Sequence, residues 1–147
     1  MTEDMSMEHR ILIVDDSEEI HELYKKLIKK MNSAELGLTF NLDHCYQGEV
    51  AVLKVRESEK MKLPYSFVMM DITMPPGMDG IETIQEIHRE YSHTEFIVCT
   101  AFQNYSFEEL FENFGITDKI LYVNKPYNPT MIKQMTLYLA SKYQRYR

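Results

Sequence analysis

The sequence predicts an α/β domain: a doubly wound, three-layer sandwich around five parallel strands in the order 2-1-3-4-5. Three observations lead there. Short apolar runs alternate with stretches of helical periodicity along the chain. The runs Ile11–Val14, Phe67–Met70 and Phe96–Cys99 are continuously apolar, as strands covered on both faces are. Four runs end in a chemically active group: Asp15-Asp16, Asp71, Thr100 and Lys125. In a parallel sheet all strand C-termini lie along one edge, and ligands bind in the crevice outside it. Groups far apart in sequence would then share one pocket.

Each element follows from its residues. Arg10–Val14 reads as the first strand. Ser17 can cap the next helix, whose stripe is Ile20, Leu23, Tyr24, Leu27 and Ile28. Asn32–Gly37 ends it. Leu38–His44 alternates as the second strand; Asn41, Asp43 and His44 make it polar, which suits a sheet edge. Gln47–Glu57 is the second helix, and Pro64 breaks the chain before the third strand, Ser66–Met70. Pro75-Pro76-Gly77-Met78-Asp79-Gly80 cannot be helix interior. Ile81, Ile84 and Ile87 define the third helix, and Glu95–Cys99 the fourth strand. Ser106 can cap a short helix carrying Phe107, Leu110, Phe111 and Phe114, closed by Gly115. The stripe Phe107, Phe111, Phe114 is expected in the core. Lys119–Asn124 is the fifth strand, and after Pro126 and Pro129 the last helix runs through Ile132, Met135 and Leu139 towards Tyr143.

A length of 147 residues suits one core, and 44% apolar with 27% charged residues is ordinary for a globular chain. A net charge of −7 argues against direct nucleic-acid or anionic-membrane binding, which need a basic surface. Residues 1–8 are polar and acidic, without the apolar region of a signal peptide, and read as a flexible leader to a domain over 9–147. No segment has the length of a membrane span. Cys45 and Cys99 are too few for a disulfide framework and read as reduced core residues, so a cytoplasmic location is expected. His9, His21, His44, His88 and His93 lack metal-ligand spacing and are expected at the surface or rim.

The strand ends carry the chemistry. Two carboxylates about 4 Å apart repel by roughly 4 kcal/mol at an effective dielectric near 20, so Asp15, Asp16 and Asp71 together call for a cation. Hard oxygen donors favour Mg²⁺ or Mn²⁺ over zinc. A carboxylate can serve as nucleophile towards a phosphoryl group. An ammonium (Lys125) and a hydroxyl (Thr100) can then contact phosphoryl oxygens. Each of these residues alone has an ordinary structural role as cap, strand residue or surface lysine. Their joint placement at four strand ends is the signal.

Val14-Asp15-Asp16, Asp71-Ile72-Thr73-Met74-Pro75, Asp79-Gly80, Thr100-Ala101 and Lys125-Pro126 together resemble the receiver domains of two-component response regulators, the CheY-like family with its flavodoxin-like sheet. The resemblance runs from Arg10 to about Tyr143. It implies that Asp71 accepts a phosphoryl group from a histidine kinase or phosphotransfer protein. It implies Asp16 and Asp71 as direct metal ligands, Asp15 acting largely through water, and the Thr73 backbone carbonyl as a further ligand. Thr100 and Tyr122 would be the switch pair and Lys125 the phosphate-contacting cation. The fourth helix, fifth strand and fifth helix would meet an output domain, a partner protein or a second copy of the chain. Thr73 and Phe102 occupy the positions that bear on loss of the phosphoryl group, and Phe102 cannot orient a water by hydrogen bonding, so slow self-dephosphorylation is expected. One departure stands out: Pro76-Gly77 adds a residue to the loop after Asp71, where many relatives have one between Met-Pro and Met-Asp-Gly.

Three other readings compete. A haloacid-dehalogenase-type phosphatase uses similar groups, but with its nucleophile in an Asp-x-Asp on the first strand; here the acidic pair comes first. A phosphorylation-independent binding module would not need the Asp, Thr and Lys set. An FMN-binding flavodoxin is disfavoured because two carboxylates stand where its phosphate would sit. The expected protein is therefore a signalling module, not an enzyme beyond its own phosphorylation and dephosphorylation.

Overall fold

The computed structural model describes residues 7–31, 37–101, 106–125 and 128–146, without the side chains of Thr100 and Tyr146. The elements are β1 (Met7–Val14), α1 (Glu18–Met31), β2 (Leu38–Cys45), α2 (Gly48–Lys60), β3 (Phe67–Asp71), α3 (Gly80–Glu90), β4 (Phe96–Thr100), α4 (Phe107–Phe114), β5 (Ile120–Asn124) and α5 (Pro129–Tyr146). All strand pairs are parallel, in the order β2-β1-β3-β4-β5. That is the predicted doubly wound sheet.

The continuous apolar runs divide between two layers because successive strand residues point to opposite faces. Leu12, Val14, Val68, Met70 and Val98 pack towards Ala51, Val55, Ile84, Ile87 and Leu110. Ile11, Ile13, Phe67, Met69 and Ile97 pack towards Tyr24, Leu27, Ile28, Ile132 and Leu139. Both cysteines are buried. Burial pushes the Cys45 thiol up to about 12, which keeps it protonated and unreactive. No helix among the described residues is long and apolar enough to cross a membrane.

β1 starts earlier than the sequence suggests. Met7 and Glu8, expected in the leader, pair with Leu38 and Thr39 of β2, and the Asn41 side-chain amide donates to Glu8 at 3.0 Å. The polar run Glu8-His9-Arg10 hid this extension. Glu8 and Arg10 are satisfied by partners on the edge strand β2, where Arg10 pairs with Asp43 at 2.8 Å.

Two histidines are corrections as well. His9 and His21 are fully buried, not at the rim. His9 lies 2.7 Å from the Ser66 hydroxyl and 3.1 Å from the Gln144 side-chain amide, so its polar atoms have partners.

The aromatic stripe of α4 is a third correction. Leu110 is buried and Phe114 packs on the core, but Phe107 is 58% and Phe111 42% exposed. A helix of eight residues presents about two turns, and Leu110 takes the inward position that an eight-residue helix can fill. A capping box fixes its start: Glu109 N–H donates to Ser106 Oγ at 3.2 Å, and Ser106 N–H to Glu109 Oε1 at 3.1 Å.

Candidate functional site

Strand register brings the predicted groups together. Val14 pairs with Cys45, Asp71 with Cys99, and Thr100 with Asn124. Asp15, Asp71, Thr100 and Lys125 therefore emerge at one edge, over β1, β3, β4 and β5. Carboxylate oxygens of Asp15, Asp16 and Asp71 lie within 4.8 Å of one another. Asp15 and Asp71 are buried and Asp16 is exposed.

Lys125 reaches across this cluster. Its ammonium donates to Asp71 Oδ1 at 3.1 Å and to Asp15 Oδ2 at 3.3 Å. One cation faces three carboxylates, and the protonation energetics follow. Burial, then the charge of Asp15, raise the Asp71 carboxyl to about 6 despite Lys125. Burial also raises Asp15, against the Ser17 amide and Lys125. Burial disfavours the Lys125 charge too, but the Asp71 and Asp15 carboxylates outweigh it and hold the ammonium above its ordinary value. Among the described residues the site is short of positive charge, which suits a bound cation.

The loops after the strands are locally determined. The Asp15 carboxylate accepts from the Ser17 N–H at 2.9 Å, closing the turn into α1. The Asp15 carbonyl accepts from His21 Nε2 at 2.8 Å, and His21 Nδ1 lies 2.7 Å from His44 Nδ1. His21 is thus a buttress that sequence reasoning missed. Its spacing to Tyr24 and Ile28, three and seven residues on, would have placed it on the buried face.

Behind Asp71, α3 begins hard against the strand. A Cβ on Gly80 would fall 2.3 Å from the Asp71 carbonyl oxygen and 2.8 Å from Ile72 Cα. Only glycine allows that approach, and the Gly80 N–H donates to the Ile72 carbonyl at 2.7 Å. A capping box between Asp79 and Glu82 fixes the helix start.

The remaining predicted residues are placed as follows. Thr73 is exposed on the loop after Asp71. Thr100 ends β4, and its side chain lies outside the described part of the chain. Phe102 lies outside the described residues. Tyr122 packs against the core and meets the Phe107 ring edge-on, with centroids 5.2 Å apart. Burial raises its phenol, and its hydroxyl has no hydrogen-bond partner among the described residues. Beside it, Phe107, Leu110, Phe111, Ile116 and Tyr122 line an apolar groove of about 740 Å³. Ile116 is 95% exposed there.

Comparison with known proteins shows the family and the fold. The family model described as response regulator receiver domain matches residues 11–137. The chain is 32% identical over 126 residues to the chemotaxis protein CheY of Thermotoga maritima, covering 86% of this chain and 92% of that protein. It is 33% identical over 98 residues to the transcriptional regulatory protein ResD of Bacillus subtilis, covering 67% of this chain but 35% of ResD. It spans 7% of hybrid signal transduction histidine kinase I of Dictyostelium discoideum. The signal receiver domain of an HD domain-containing protein from Pseudomonas fluorescens superposes with a TM-score of 0.74 at 19% identity, over 95% of this chain and 99% of that one, a likeness of fold.

Proposed function

The chain belongs to the response regulator receiver domain family of two-component signalling, and on that premise we propose that it is a phosphoacceptor switch with Asp71 as the accepting residue. The observation that carries this reading is the Lys125 ammonium bonded to both Asp71 and Asp15 at the sheet edge. The donor is a histidine kinase or phosphotransfer protein. A haloacid-dehalogenase-type phosphatase has no support from the family match.

Asp15, Asp16 and Asp71 fit a hard divalent cation such as Mg²⁺ or Mn²⁺, because their clustered oxygens lack enough positive charge, and by the family resemblance the Thr73 carbonyl would be a further ligand. Such a cation would supply Lewis-acid neutralisation of charge on the phosphoryl oxygens. The protein's own part is as follows. An Asp71 carboxylate oxygen attacks phosphorus, the P–N bond to the donor histidine breaks, and its electron pair stays on the imidazole. Lys125 stays charged throughout and passes from Asp71 to a phosphoryl oxygen. Asp15 keeps the ammonium in place while that exchange occurs.

Intact-mass measurement after incubation with acetyl phosphate and Mg²⁺ tests the assignment. Wild type gains one phosphoryl group and Asp71→Asn gains none. Equal uptake in both would refute Asp71 as the acceptor.

The output side is proposed from the exposed α4 aromatics. Thr100 and Tyr122 form the switch pair, and inward movement of Tyr122 changes the groove that Phe107 borders. The face of α4, β5 and α5 then meets an output domain, a partner protein or a second copy. Sedimentation with and without beryllofluoride, together with the NMR shifts of Phe107 and Tyr122, checks this. The expected result is a change in wild type that is reduced in Phe107→Ser. No response of the shifts or of sedimentation to beryllofluoride would rule the face out.

A further inference from the structure

We infer that Glu49, on α2, is a positioning residue for the loop that follows Asp71. The inference rests on the reading of the acidic cluster as a cation and phosphoryl site. Two ties close the base of that loop: Ile72 N–H donates to the Cys99 carbonyl at 3.1 Å, and Gly80 N–H to the Ile72 carbonyl at 2.7 Å. Between them run Thr73 to Asp79, including Pro76-Gly77. The outer half is held from a different element. Glu49, in the first turn of α2, accepts the Met78 backbone N–H at 2.9 Å through Oε2.

The neighbouring glycines point the same way. A Cβ on Gly77 would lie 2.5 Å from both Glu49 carboxylate oxygens, so the missing side chain is the space the carboxylate occupies. A Cβ on Gly48 would lie 3.1 Å from Met78, so the α2 backbone approaches the same stretch closely. The loop is therefore fitted to one acidic side chain of α2. Pro75 and Pro76 restrict the loop backbone locally, and the Glu49 carboxylate ties its outer half to α2. A loop held in the binding conformation loses less freedom when its Thr73 carbonyl takes a ligand, and affinity rises accordingly.

The test uses three variants of the full chain, checked for helix content by circular dichroism: Glu49→Ala, Glu49→Gln and Gly77→Ala. The first readout is amide hydrogen exchange of Met78 in metal-free protein. Exchange should quicken in Glu49→Ala and Gly77→Ala and stay near wild type in Glu49→Gln, which keeps an acceptor oxygen. Glutamine also removes the charge near the α2 N-terminus, so its rescue separates the hydrogen bond from a helix-dipole effect. The second readout is Mg²⁺ titration by NMR. Affinity should fall about fivefold in Glu49→Ala and Gly77→Ala, the worth of one net hydrogen bond, and hold in Glu49→Gln. Unchanged Met78 exchange in Glu49→Ala overturns the inference. So does quickened exchange with unchanged Mg²⁺ affinity. If wild type gave no Mg²⁺ response, the reading of the acidic cluster would fail, and positioning of a cation ligand by Glu49 with it. Met78 exchange would still show separately whether the clamp exists.

Discussion

Asp71→Asn should make the metal-free protein more stable at neutral pH. The Asp71 carboxyl titrates near 6 in the fold against 3.8 for its ordinary value, chiefly because it is buried and faces Asp15. Between those two values the folded state binds more protons than the unfolded state. Stability therefore falls as pH rises through about 4 to 6 and stays at the lower level above that. At one pKa unit per ~1.4 kcal/mol, the ionised carboxylate costs the fold up to about 3 kcal/mol at neutral pH. Asparagine keeps an oxygen for the Lys125 ammonium and carries no charge. Urea unfolding in the presence of a chelator should show variant and wild type close together near pH 4, with the gap opening in the variant's favour towards pH 7.5. Under the proposed function, saturating Mg²⁺ should narrow or reverse the gap, because a cation bound to the native state stabilises it and the variant lacks one carboxylate of the cluster. A gap that does not change with pH would mean that Asp71 ionisation carries no strain.

Much of this site could be read from the chain because a parallel sheet turns sequence position into spatial position. A residue that ends a strand must lie on the ligand edge, whatever its distance along the chain. Asp15, Asp71 and Lys125 were legible for that reason, and so was β2 as the polar edge strand. What could not be read depends on partners that only the fold supplies. His9 and His21 look like surface residues until Ser66, Gln144 and the Asp15 carbonyl arrive to satisfy them. Phe107 and Phe111 share a helical period with core residues, but periodicity does not say whether a face has something to pack against. The Glu49 tie to Met78 crosses from α2 to a loop 29 positions away and leaves no local pattern except Gly77.

Lys125→Ala should destabilise the metal-free protein, and the size of the loss should depend on Asp71. The ammonium bonds two carboxylates whose side chains are 1% and 6% exposed. Removing one partner of a buried ion pair commonly costs about 3–5 kcal/mol, since the remaining charge is left without compensation. Asp71 already titrates near 6, so it can relieve part of this by taking up a proton. A loss of about 2 kcal/mol near pH 7.5 is expected, shrinking towards pH 5 as Asp71 protonates. In the Asp71→Asn background one carboxylate of the pair is gone, so Lys125→Ala should cost less there. The double-mutant cycle isolates that difference as the coupling between the two side chains. Equal costs in both backgrounds would show that Lys125 answers to Asp15 alone. Its transfer from Asp71 to a phosphoryl oxygen would then have no basis. A clear coupling would instead mean that the ammonium is already held by the residue that, under the proposed function, it leaves when phosphorus arrives. The receiver would then start each cycle with its cation bonded to the nucleophile itself.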